Sequence, residues 1–118
     1  MSLFENSDGI NMKLLEIKAE IFKALSHPSR IIMLEALSKN QLCVCELQKL
    51  VGADMSTVSK HLTVLKDAGV VFCEKRGSNI YYTLKADCVI GFLTCIEDFI
   101  RKEAADRLDL VSSSKKKA

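Results

Sequence analysis

The stretch Ser56-Thr57-Val58-Ser59-Lys60-His61-Leu62 lies between Asp54 and Gly69, and two further segments follow it: Val70-Val71-Phe72-Cys73-Glu74-Lys75 and Asn79-Ile80-Tyr81-Tyr82-Thr83-Leu84. In the first stretch Val58, Leu62 and Leu65 recur at helical spacing and face inward. Asp54 is suited to cap that helix, and Gly69 to end it. Beyond Gly69 the pattern changes to period two, which reads as two strands joined at Arg76-Gly77-Ser78. The order of elements is therefore a helix followed by a β-hairpin.

Working upstream, a short helix over about 43–51 stops at Gly52, so it and the next helix are joined by a tight turn. Two short helices followed by a hairpin make a winged helix-turn-helix. Leu14, Ile17, Ile21, Phe22 and Leu25 predict a helix over 12–25. Ser26-His27-Pro28 breaks the chain and restarts it, with His27 at a capping position and Pro28 at a first helical position. The helix that follows, about 28–39, is expected to bury Ile31, Ile32, Leu34 and Leu37. A last helix over about 86–108 carries Val89, Phe92, Leu93, Ile96, Phe99 and Ile100 on one side. The fold class is mainly α with a small β-hairpin wing. The expected organisation is a flexible N-terminal arm over 1–11, one domain over 12–109, and a disordered basic tail over 110–118.

The chain has 118 residues and is 48% hydrophobic, which suits one domain with one core. A chain this small buries only about two-thirds of its unfolded surface, so pairing with a second copy would help. The segments 12–25 and 86–108 have the amphipathic character for it. Net charge is +2, which allows nucleic-acid binding without requiring it. No apolar run is long enough for a membrane span, and no secretion signal opens the chain, so the cytoplasm is the expected compartment. There the five cysteines, at 43, 45, 73, 88 and 95, are thiols, ligands or redox sensors before they are structural disulfides. No glycine-rich phosphate loop and no Cys–His or Ser–His–Asp constellation suggests an enzyme or an organic cofactor.

In a winged helix-turn-helix the second helix enters the major groove. Ser56, Thr57, Ser59, Lys60, His61 and Lys66 are the candidate contacts to double-stranded operator DNA, with Lys75 and Arg76 reaching it from the hairpin tip. Exposed Ser, Thr and Lys are also ordinary solvated surface, and His61 beside Leu62 is equally suited to a half-buried structural role. The helix-turn-helix plus hairpin order is more specific than any one residue.

Upstream of that helix stands Leu42-Cys43-Val44-Cys45-Glu46-Leu47, a pair of soft ligands beside a DNA reader, which suggests a chemical sensor coupled to a gene switch. On a regular helix residues i and i+2 diverge, so both thiols can hold one ion only if the first turn is distorted. The alternative is that both cysteines are small buried hydrophobes.

Ala24-Leu25-Ser26-His27-Pro28-Ser29-Arg30-Ile31 resembles the opening signature of the arsenic-repressor-type metalloregulators, the ArsR/SmtB family. The run from Ser56 to Val71 resembles the family's recognition helix, and Gly77 to Leu84 resembles its wing. The resemblance covers about residues 12–105. It implies a homodimeric repressor, paired through residues 12–25 and 86–108, that releases its operator when an inducer binds. Cys43 and Cys45 look like the inducer site of the family's arsenic, antimony, cadmium and lead sensors, which implies As(III) or Sb(III) first and Cd(II) or Pb(II) second. Gln48 stands where some arsenic sensors carry a third cysteine, and residues 1–25 hold none. A third ligand would then be Cys88 or Cys95, for which interface packing is the competing role. These two lie about 10 Å apart along a helix and cannot chelate one ion together. The family's zinc site on the last helix is not matched, because Ala86, Phe99 and Lys102 replace its ligands around Cys88. The alternative reading is a thiol redox or persulfide switch on the same DNA-binding module, although residues 28–39 lack the cysteine such members use.

Overall fold

A computed structural model describes Gly9 and residues 11–117, with side chains as far as residue 109. Apart from Gly9 and Asn11, the expected arm over 1–11 lies outside the described residues. Backbone contacts divide the chain into two units, Met1–Ala86 and Asp87–Ala118.

The first unit contains α1 (Met12–Leu25), α2 (Pro28–Leu37), β1 (Leu42–Cys43), α3 (Val44–Val51), α4 (Met55–Asp67), β2 (Val71–Arg76) and β3 (Asn79–Leu84). Local chemistry sets most of these boundaries. Asn11 caps α1 by accepting the Leu14 N–H at 3.1 Å. His27 caps α2 through Nδ1, which accepts the Ser29 N–H at 3.0 Å, and Pro28 fills the position where a missing donor costs nothing. Gly52 ends α3 at φ 75, a left-handed conformation that favours glycine, and so allows the tight turn into α4. Gly77, at φ 62, does the same in the turn between β2 and β3.

The sheet is antiparallel with order β1-β3-β2. Val71 pairs with Leu84 at one end of the hairpin and Arg76 with Asn79 at the other. Sequence patterning did not foresee β1, whose two residues are too few to show a period. It pairs Leu42 with Tyr82 and Cys43 with Tyr81, and Gln41 Nε2 extends the row by donating to Thr83 Oγ1 at 2.9 Å.

Met33, Leu34, Leu47, Val58, Leu62, Leu65, Val70 and Val71 form the fully buried centre of the core. The inward stripe of α4 is as predicted. That of α2 differs, because Met33 is buried where Ile32 was expected and Ile32 is 40% exposed. A helix starting at Pro28 places Met33, Leu34 and Leu37 on its inner face and ends at Leu37, two residues before the predicted stop.

The second unit is α5, Cys88–Lys117. It was expected to stop near 108 with a disordered tail from 110, but neither Pro nor Gly follows Gly91, and the helix continues. Phe92, Ile96, Phe99, Ile100 and Leu108 are exposed apolar residues along it. Among the described residues no helix is long and apolar enough to cross a membrane.

Leu47 is the buried anchor of α3. Replacing it with Ala should cost roughly 2–5 kcal/mol. Urea denaturation would read this as a lower midpoint, with Lys39→Ala, at an exposed position, changing stability by less than about 0.5 kcal/mol as the control.

Candidate nucleic-acid interface and thiol pair

Because Val58, Leu62 and Leu65 turn inward, α4 presents Ser56, Ser59, Lys60 and Lys66 outward, all exposed. Asp54 fixes where this face begins. Its Oδ1 accepts the Thr57 N–H at 2.7 Å and the Ser56 hydroxyl at 3.2 Å. The bonds from Thr57 hold the Asp54 carboxyl below the ordinary aspartate range, with Lys60 a smaller contributor. Thr57 itself is half-buried. At the hairpin tip Lys75 and Arg76 are exposed. Arg76 donates to Glu74 Oε1 and lies 5.1 Å from the centroid of the Tyr81 ring. Both contacts limit its freedom.

His61 stands apart from the other candidate DNA contacts. It is half-buried, and its Nδ1 lies 3.0 Å from Arg30 Nη1. Arginine can only donate, so Nδ1 accepts and the ring is neutral with its proton on Nε2. Its ring centroid is 4.3 Å from that of His27. Burial first, then the charges of His27 and Arg30, push His61 below the ordinary histidine value. The structural alternative weighed for His61 thus describes its contacts well. Sequence reasoning gave Arg30 no role, yet its Nε also donates to the Ala24 carbonyl at 2.7 Å and its Nη2 to that of Lys23 at 3.4 Å.

The two candidate sensor cysteines, Cys43 and Cys45, occupy different backbone environments. The helix expected over 43–51 begins at Val44, so Cys43 belongs to β1 and serves as the N-cap of α3 with φ −85 and ψ 163, while Cys45 lies in the first helical turn. The divergence of i and i+2 on a helix therefore does not govern this pair. Glu46 Oε1 accepts the Cys43 backbone N–H at 3.0 Å, and hydrogen bonds from the Cys43 backbone and thiol hold the Glu46 carboxyl below its ordinary range. This is a capping box with cysteine in the place of serine or threonine, legible in the Cys43–Glu46 spacing but not recognised there. Cys43 is half-buried and Cys45 exposed. Cys45 lines an open cleft of about 300 Å³ together with Val44, Met55, Ser59, Ile80 and Tyr82, which brings α3, α4 and the wing to one place.

The remaining cysteines are also free. Cys73 pairs across the hairpin with Tyr82; burial, and then Cys73, push the Tyr82 hydroxyl above its ordinary value. Cys88 and Cys95, on α5, are exposed. Among the described residues no three His, Cys, Asp or Glu side chains converge to hold a metal ion. Among the described residues the soft donors therefore do not converge in the three that a trivalent arsenical takes.

The model of the arsR family of bacterial regulatory proteins matches residues 27–71. An uncharacterised helix-turn-helix-type transcriptional regulator of Methanocaldococcus jannaschii is 41% identical over 88 residues, 74% of this chain and 99% of that one. A transcriptional repressor SmtB homolog of Synechocystis is 33% identical over 84 residues, 71% of this chain and 64% of its own length. The cadmium resistance transcriptional regulatory protein CadC of Listeria innocua is 40% identical over 65 residues, 54% of this chain and 55% of its own length. Among solved structures, that of Rv0081 from Mycobacterium tuberculosis superimposes with a TM-score of 0.72 at 34% identity, covering 83% of this chain and 99% of that one. The fold and the helix-turn-helix define a DNA-binding transcriptional regulator, not an enzyme. The chain belongs to the ArsR family.

The Asp54 cap titrates in a stated direction. With its carboxyl held below the ordinary 3.8, the bond to Thr57 stabilises α4 above that value and is lost as pH falls through the lower folded one. The Thr57 amide resonance, followed by NMR from about pH 7 towards about pH 3, should report that midpoint below the ordinary aspartate value. Asp54→Ala should abolish the titration and expose the first-turn amides to exchange.

Proposed function

We propose that this chain is a homodimeric transcriptional repressor that leaves its operator when a soft metal or metalloid ion binds at Cys43 and Cys45. The observation that carries the reading is the position of the thiols: one caps α3, the other lies in its first turn, and α3 is in contact with α4. An ion on the Cys43 sulfur takes the place of the thiol proton. The place of that sulfur in the capping box with Glu46 is disturbed with it, loosening the start of α3 beside the DNA-reading helix. Coupling of this kind is typically about 1–3 kcal/mol, a change of several-fold to about a hundredfold in operator affinity.

Thiolates select soft ions. As(III) or Sb(III) is the first inducer class, and Cd(II) or Pb(II) the second; the name of the CadC relative supports a cadmium response in this branch. The third sulfur comes from Cys88 or Cys95 of a partner copy, or from a small cellular thiol. Exposed Leu14, Ile17 and Phe22 on α1, with Phe92, Ile96 and Phe99 on α5, support pairing of two copies through these helices. Ser56, Thr57, Ser59, Lys60 and Lys66 read the operator from α4, Lys75 and Arg76 reach it from the wing, and the repressor works in the cytoplasm.

Cys43→Ser/Cys45→Ser should keep operator binding and lose release by arsenite, antimonite, Cd(II) and Pb(II) in fluorescence anisotropy under reducing conditions. Release that survives in the double variant places the sensor elsewhere. Lys60→Ala should weaken binding to all sequences alike and lower the salt slope by about one phosphate contact. An unchanged slope rejects Lys60 as a phosphate contact.

A further inference from the structure

Arg30 links α4 to the end of α1 through side-chain hydrogen bonds. Its guanidinium donates to the Ala24 carbonyl at 2.7 Å, the Lys23 carbonyl at 3.4 Å and His61 Nδ1 at 3.0 Å. The two carbonyls belong to the last turn of α1, where a helix carries partial negative charge and a cation is favoured. The third bond crosses to α4, one residue from Lys60. It exists only while His61 Nδ1 carries no proton, because an imidazolium has two donors and no acceptor.

We propose that Arg30 is a positioning residue for DNA recognition: it latches α4 to the C-terminal turn of α1 through neutral His61, and protonation of His61 opens the latch and weakens operator binding. The inference rests on α4 being the DNA-reading helix.

The surroundings of His61 give it no acidic partner. From α2 and its cap it meets Arg30 and His27. From α1, Glu20 and Lys23 line the cleft beside Arg30, together with Asp67 of α4 itself, but none bonds to the ring. The charged groups of α3 are Glu46 and Lys49, and those of β2 are Glu74, Lys75 and Arg76; among the described residues none forms a hydrogen bond or ion pair with His61. A proton gained there joins two basic neighbours. Burial and these neighbours hold His61 below the ordinary 6.5. The neutral latch is therefore intact above that value and is lost as pH falls through the lower folded one.

Acidification ordinarily tightens protein–DNA complexes, because added positive charge favours phosphate contact. The latch predicts the opposite, and the sign is the test. The probe is a labelled duplex selected by the wild-type chain from a random-sequence library, titrated at constant ionic strength from about pH 7.5 to about pH 4.5, to pass through a value held below the ordinary one. Wild type should weaken on the order of tenfold, the scale of losing one charge-assisted hydrogen bond. His61→Asn places a neutral acceptor oxygen near the position of Nδ1, and whatever its affinity at the upper pH, its profile below should be flat. Arg30→Lys keeps the charge but not the fork. It should lose about tenfold at the upper pH with its helix content by circular dichroism retained. Wild-type binding that is constant or tighter in acid overturns the proposal, the latter making His61 a phosphate contact. Acid weakening that persists in His61→Asn also overturns it, because the titrating group is then another. Lys60→Ala run alongside separates the two levels. If it binds as wild type, the reading of α4 fails, and the proposal with it; if it weakens while the pH profile has the wrong sign, only the latch fails.

Discussion

Val58, Leu62 and Leu65 are wholly buried on one side of α4, and their burial constrains what the helix does on the other. Each such side chain contributes about 1.5–3 kcal/mol relative to exposure. Spaced four and three residues apart, they forbid rotation of the helix about its axis without returning apolar surface to water. Ser56, Ser59 and Lys60 are consequently presented in one orientation by hydrophobic burial, before any nucleic acid arrives. Asp54 fixes the N-terminal end of the same helix, the end that leads into the groove in this class of fold.

Rotation is settled by the core, but the tilt of α4 and its placement beside α1 depend on directional contacts. Arg30 gives three bonds to two helices from one rigid group, while His27 both caps α2 and lies against His61. The polar knot is only half-buried, so its members keep contact with water and pay less for desolvation than a fully buried cluster. At the wing, Arg76 is treated in a similar way. Glu74 and the Tyr81 ring reduce its rotamer freedom, which would lower the entropy cost of the proposed contact to DNA, where a phosphate would compete with Glu74 for the guanidinium.

How much of this was legible in the sequence depended on the range of the interactions involved. The α4 stripe, the period-two hairpin and the caps at Asp54 and His27 are encoded within a few residues of where they act, and patterning finds them. Strand β1 has two residues and hence no period; its partner Tyr82 is some forty positions away in the chain. The Arg30–His61 bond spans 31 positions and joins residue types that are individually unremarkable. Helix ends are uncertain by a residue or two from pattern alone, and at Cys43 one residue separates a helical thiol from a capping one. The end of α5 at Lys117, well past the expected 108, has another cause: its Ser- and Lys-containing continuation has no apolar period to mark it as helix.

The contrast between α3 and α4 bears on why a ligand would act through the former. Helix α3 has eight residues and one fully buried side chain, Leu47, whereas α4 has thirteen residues and three. An isolated helix of two turns has little stability of its own, so α3 persists through Leu47, its Gly52 terminus and the capping box of Cys43 and Glu46. Removing a cap costs about 1 kcal/mol, a large fraction of what so short a helix holds and a small fraction of what anchors α4. Binding energy delivered at Cys43, as proposed, would be spent where the fold resists least. An effect on DNA would follow because α3 contacts α4 and, through Cys43 opposite Tyr81, adjoins the strand whose ring supports Arg76.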